Sequence, residues 1–292
     1  MNLAKYLGGL GLFACLLVPA FVGATEPETP EGMAVVQGAS FKRGVEKDDH
    51  QCAQPDQPKK NATTPAQEVT VSSFYMDLTE VTNEAYAACK KAGKCTSGPA
   101  YADFNAPKQP VTGVTWYDAK NFCEFVGKRL PTEAEWELAA RGPDAETYPW
   151  GNAPVSCEHA VIKDEKGRSC GEKKRRGSKP ETGRVLEVGS KPAGRYGLYD
   201  MAGNAEEWVA DWWTPDWESC GAACQGVDPK GPCGGALDCK GFKYRAVRGG
   251  SWYWPGEHAT GYHRRRNPPS NRPFHHFGFR CAKSIETGTS PQ

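Results

Sequence analysis

The chain has 292 residues, of which 33 are Gly, 23 Pro, 12 Cys and 9 Trp; 38% are hydrophobic and 11% aromatic. That is too apolar for a disordered polar chain, and no heptad or G-X-Y period is present, which excludes coiled coil and collagen. With 36 basic against 35 acidic residues the net charge is +1, so bulk electrostatics point to neither nucleic acid nor an anionic membrane.

Residues 1–24 read as a signal peptide. Lys5 supplies the positive start, an apolar run extends from Leu7 to Val22, and Val22 and Ala24 occupy the −3 and −1 places before Thr25. Pro19 interrupts a run already short for a membrane span, and Phe13 stands where a lipoprotein signal ending at Cys15 needs a small residue. The expectation is an exported chain, periplasmic or secreted, with no stable membrane anchor after cleavage. Cleavage removes Lys5 and Cys15 and leaves a neutral chain with eleven cysteines, mostly in disulfides outside the reducing cytosol.

Residues 25–32 (TEPETPEG) form a Pro/Glu linker, 33–283 a single domain without internal repeat, and 284–292 a polar tail. Within the domain, Val69–Phe74 alternates as a strand and 83–92 reads as a helix closed by Gly93. Thr115–Asp118 is a capping box opening a helix with Ala119, Phe122, Cys123 and Val126 on one face and Gly127 as its stop. Thr132–Glu135 is a second capping box, and its helix ends at Gly142. The charged stretch 163–184 is a surface loop stapled at Cys170; 214–240 is irregular and carries Cys220, Cys224, Cys233 and Cys239. Tyr244–Arg248 is a short strand. Everything else is rich in turns.

Four separated motifs then become legible: PVTGVTWYDAKNFCEFVGKRLPTEAEWELAARG from Pro110, YGLYDMAGNAEEWVADWW from Tyr196, RGGSW from Arg248, and GFRCA from Gly278. In this order and spacing they resemble the formylglycine-generating enzyme (sulfatase-modifying factor) family over 33–283. The resemblance implies an α+β, C-type-lectin-like fold with little regular secondary structure. It implies a disulfide between Cys123 and Cys281, and structural calcium (Ca2+) at Asp200, Gly203, Ala205 and Glu207. Carboxylates and carbonyls on a tight Gly turn are hard oxygen donors of the kind Ca2+ takes. The family's other calcium site falls in 160–186, which aligns poorly and is not carried over. Trp208, Trp212 and Trp213 are read as core. Cys89 with Cys95 closes a small loop, Cys157 pairs with Cys170, the four cysteines of 214–240 pair among themselves in an open order, and Cys52 is left over. A zinc reading of those four lacks a CxxC pair.

The sequence departs from the resemblance at one point. Copper-dependent members act through two cysteines, three residues after the GGS triplet and five further on. Here those places hold Trp254 and one of Glu257–Ala259, and no cysteine occurs from Lys240 through Arg280. Paired thiolates are what selects Cu(I), so no copper of that kind is expected. The iron-dependent branch needs a histidine-rich N-terminal domain, for which no room exists before residue 33. His258 with His263, or His275 with His276, could in principle bind metal, but adjacent histidines do not easily face one ion and Glu257 is the only carboxylate near them, so they are read as groove or surface histidines.

Residues 242–283 hold nine Lys or Arg, four His and nine aromatics against the single acid Glu257. This composition predicts a basic-aromatic cleft using Ser251, Trp254, Tyr262, His263 and Arg264 to clamp anionic or carbohydrate groups. The reading is therefore an exported binding or scaffold module whose ligand is a small molecule, a glycan or a protein. The alternative is an oxidase or modifying enzyme of the same family that works without the thiolate pair.

Overall fold

The computed structural model describes residues 28–46, 63–172, 183–270 and 275–286. The expected signal peptide, the start of the expected linker, Cys52 and most of the expected polar tail lie outside these residues.

The architecture is α+β with short elements. Strands β1 (Met33–Val36), β2 (Ala39–Arg43), β3 (Gln67–Val71) and β4 (Phe74–Asp77) come first, followed by helices α1 (Asn83–Lys91), α2 (Trp116–Phe125) and α3 (Glu133–Arg141). Then come β5 (Glu206–Trp212), α4 (Trp217–Cys220), β6 (Gly226–Val227), β7 (Arg245–Arg248), β8 (Arg264–Asn267), β9 (Phe277–Gly278) and β10 (Ala282–Ser284). They form three small sheets, ordered β1-β4-β10, β2-β3-β6 and β8-β7-β5-β9. None of the described helices is long and apolar enough to cross a membrane.

The strand expected over Val69–Phe74 is two strands. Ser72 breaks it because both its backbone N–H and its hydroxyl donate to the Asp228 carboxylate at 2.7 Å, which turns the chain from one sheet into another. Thr132 and Glu135 make both halves of a capping box at the start of α3. Thr115 caps α2 by accepting from Asp118 N–H, but the reciprocal bond is missing. The Asp118 carboxylate accepts from Thr96, Ser97 and the Thr115 hydroxyl instead, so this end is a simple N-cap. Those hydrogen bonds hold Asp118 below the usual carboxylate range against the opposing effect of burial.

Helix α3 is buried on all sides, including Glu133, Glu135, Glu137 and Arg141. A polar helix survives there only if its charges find partners. Trp136, Leu138, Ala139 and Ala140 pack with Phe41, Val69, Val71, Met201, Val209 and Ala246 in the largest apolar cluster. Trp208 belongs to a second cluster with Trp116, Phe122, Val247 and Phe279, and its indole donates to the Val114 carbonyl. Five disulfides join the described cysteines: Cys89–Cys95, Cys123–Cys281, Cys157–Cys170, Cys220–Cys224 and Cys233–Cys239. Cys123–Cys281 ties α2 to the C-terminal strand across 158 residues. The last two pairs settle the connectivity left open over 214–240.

Candidate functional site

Strands β7 and β8 carry most of the basic residues that the sequence assigns to a cleft, and they turn them inward. Arg248 and Arg264 are cross-strand neighbours, a pairing of like charges that would be repulsive alone. Helix α3 supplies the compensation. The Glu133 carboxylate accepts from Arg248 at 2.9 Å and from Arg264 at 2.6 and 2.8 Å, while Glu137 accepts from Arg248 at 2.7 Å and Arg141 at 2.6 Å. Burial alone would raise Glu133, yet Arg264 and Arg248 hold it down at about 2. Trp217 lies between the guanidinium groups of Arg43 and Arg264, each 3.6 Å from its ring centre. Next to this network Asp211 is pushed up to about 7, by burial first and then by the Glu133 charge.

Three of the five cleft candidates are therefore interior. Arg264 is 4% exposed and engaged by Glu133, Ser251 is fully buried, and Tyr262 is 8% exposed with Arg141 stacked over its ring. The same holds for Arg245, Arg248, Arg265 and Arg280, all buried. Arg265 bonds Glu206 at 2.7 and 2.8 Å, and Arg280 bonds Glu207. A window read in isolation misses these partners because every acid among them comes from upstream of residue 242.

Both side chains of the expected calcium loop have protein partners. Glu207 lies on β5, where both carboxylate oxygens accept from Arg280 at 2.7–2.9 Å and one also accepts from the Trp136 indole at 2.8 Å. Gly203 has φ +80, and a Cβ there would stand 2.5 Å from the Val161 carbonyl, so the turn is a close backbone junction. Asp200 accepts from Gly189 N–H at 2.6 Å, and Glu80 accepts from Ala205 N–H and Asn204 Nδ2. Burial and the neighbouring Asp200 and Glu207 charges push Glu80 well above the usual carboxylate range. In this arrangement a cation at Glu207 would share that carboxylate with the Arg280 guanidinium. Among the described residues no group of three or more His, Cys, Asp or Glu is placed to hold a metal.

Trp254 and His263 remain at the partly exposed edge. The Trp254 ring stacks on His258 with centroids 5.1 Å apart, meets Tyr253 edge-on at 4.8 Å, and has the Arg265 guanidinium 4.8 Å above it. His258 Nδ1 and His263 Nε2 lie 3.2 Å apart. Burial, then Arg265, lowers His258 to about 4; burial, then His258, drives His263 well below the usual histidine range. Both rings are neutral at physiological pH. His275 and His276 are centred 6.0 Å apart with rings at 78°, among Trp252, Tyr253 and Phe277.

Next to this edge runs a groove of about 740 Å3, walled by Val155–Glu158 and Ile162–Lys166 on one side and Pro255–Glu257 on the other. Lys163 N–H donates to the Trp254 carbonyl at 2.9 Å, which seats the loop against the aromatic segment, and Cys157–Cys170 closes it. Its charged residues are Glu158, Asp164, Glu165 and Glu257 against Lys163 and Lys166, so the groove leans acidic. Sequence reading passed over this wall; the signal available was a cysteine pair bracketing a dense run of charge. A second cavity, about 420 Å3, opens beside Phe74, Trp116 and Leu130 and contains none of the candidates.

An α+β domain with these three small sheets, the buried capped helix and the GGS turn defines a class, and comparison gives it a name. Residues 20–285 match the family model described as sulfatase-modifying factor enzyme 1-like domain, and the chain belongs to that family. It is 30% identical to the formylglycine-generating enzyme of Thermomonospora curvata, over 87% of this chain and 94% of that one. It is 33% identical to the serine/threonine-protein kinase pkn1 of Chlamydia caviae over 87% of this chain, but spans only 38% of that relative's length. The structure of PvdO from Pseudomonas aeruginosa superposes with a TM-score of 0.63 at 26% identity, covering 87% of this chain and 94% of PvdO.

Proposed function

We propose that this chain is a ligand-binding member of the sulfatase-modifying factor family, working outside the reducing cytosol, with the groove between Val155–Lys166 and Pro255–Glu257 as its binding surface. The observation that carries the reading is Trp254. It stands at the first copper-cysteine position and is held by ring contacts to Tyr253 and His258, so that segment is a wall and not a thiolate centre. At about 740 Å3 the groove is in the range of small-molecule sites. Its acidic lean favours a cationic or hydroxyl-rich ligand, such as a basic peptide, an amine or a glycan, over the anionic one that composition suggests.

Five disulfides are compatible with export, and the expected mature terminus is Thr25. Screening the mature chain against glycan and peptide arrays tests the binding reading. Hits should weaken in Lys163→Ala and Glu257→Ala; binding indifferent to both removes the groove from the account. A second reading, a protein- or metabolite-modifying enzyme, is favoured by the 30% identity to a formylglycine-generating enzyme across nearly its whole length. Turnover of a sulfatase-motif peptide would select it.

A further inference from the structure

We propose that the cavity beside Phe74, Trp116 and Leu130, which shares no lining residue with the groove, is a second binding site, for a small molecule with an apolar body and a single carboxylate. The cavity holds about 420 Å3, in the range of small-molecule sites. It lies at a seam between the sheets: Ser72 stands just past β3, Phe74 opens β4, Ala210 comes from β5, and Thr132 caps α3. Its apolar floor is fixed by contacts of its own. The Trp116 indole donates to the Val209 carbonyl at 2.8 Å and has the Arg245 guanidinium 3.6 Å from its ring centre. Ala210 N–H donates to the Pro131 carbonyl at 2.8 Å, and Phe74 and Leu130 are buried. The space is therefore preformed, and its floor takes a hydrocarbon or aromatic body.

The polar groups around the floor select the charge of the ligand. The acids are engaged. Glu135 accepts from Arg129 at 2.6 and 2.7 Å and from Thr132 N–H at 2.7 Å, and Glu124 accepts from Lys120 at 2.5 Å. Asp228 accepts from both the N–H and the hydroxyl of Ser72. Donors are in surplus. The Ser73 hydroxyl accepts from Gly38 N–H and the Thr132 hydroxyl from Glu135 N–H, which leaves each with its O–H proton to give. Among the described residues no acceptor meets those two protons, and no carboxylate pairs with the Lys230 ammonium at the rim. A carboxylate accepts from several such donors at once, whereas an amine would add donors to a site short of acceptors. Three bases against three acids leave the lining neutral, which suits one carboxylate at Lys230 and disfavours a polyanion.

The test uses the full mature chain, with 3-phenylpropionate as the probe and 3-phenylpropylamine as its cationic counterpart, each titrated by NMR. The expected result is saturable binding of the carboxylate at one site per chain, with the amine weaker by about tenfold or more. Lys230→Glu, at an exposed position, and Ile285→Trp, which places an indole in the cavity, should each weaken the carboxylate by about tenfold or more. Lys91→Glu, an exposed lysine at the end of α1 outside the lining, should bind as the unchanged chain does. No saturable binding, equal binding of the amine, binding that survives either cavity variant, or loss in Lys91→Glu overturns the proposal. Should a cavity variant fail to fold, crystals of the unchanged chain soaked in 3-(4-bromophenyl)propionate decide the matter. An anomalous peak over the Trp116 floor supports the site, and its absence there overturns it. Array binding in the groove should be indifferent to Lys230→Glu, so failure of that reading and of this one are separable.

Discussion

Two parts of one C-terminal segment, its arginine-bearing strands and the turn-rich stretch between them, have opposite fates. Arg245–Arg248 and Arg264–Asn267 are strands whose guanidinium groups are matched by acids from α3 and β5 and sealed under tryptophan. Trp254, Pro255, Glu257 and His263, between them, stay at the edge, with an aromatic stack and an acid-leaning groove alongside. The lesson concerns range. Local charge counting treats both as one basic surface, because Glu133 is 131 residues from Arg264 and Glu207 is 73 from Arg280. Long-range pairing converts the first stretch into core and leaves part of the second at the partly exposed edge.

The largest effect that would break this comparison is on stability. Arg264→Ala leaves Glu133 buried with half its compensation, and should cost about 3–5 kcal/mol in urea unfolding. A ligand clamp at a surface cleft would cost about 0.5 kcal/mol or less. A second prediction concerns pH. Asp211 is held near 7, above its unfolded value, so its contribution is full below the ordinary carboxylate range and is lost as pH rises through about 7. Asp211→Asn, which keeps an acceptor for the Glu133 N–H now donating at 2.7 Å, should remove that decline in a thermal-melt series from about pH 4 to 8. An unchanged slope would show that Asp211 does not titrate there.

On the edge side the stability effects are small. Lys163→Ala and Glu257→Ala should change melting by no more than about 0.5 kcal/mol while reducing array binding. Losses of stability comparable to that of Arg264→Ala would erase the distinction between the two stretches.

Much of the scaffold was legible because its signals are short-range or strongly motif-bound. The Thr132–Glu135 capping box, the Gly142 stop and the Cys89–Cys95 loop each lie within about ten residues. Cys123–Cys281 was legible only through the family resemblance. What escaped depends on distant partners: the break at Ser72 is made by Asp228, and Glu207 on β5 is paired with Arg280. Of the candidate site, Trp254 and His263 are at the edge, while Ser251, Tyr262 and Arg264 are interior for the same reason. His258, paired with His263 in the sequence reading and taken as a groove or surface residue, is buried against it.

The central claim is that the segment after Gly249-Gly250-Ser251 no longer does thiolate chemistry. Incubating the mature chain with Cu(I), O2 and a cysteine-containing sulfatase-motif peptide, and reading the peptide by mass spectrometry, tests it most directly. The account predicts an unchanged peptide mass; conversion of the cysteine to formylglycine would contradict it.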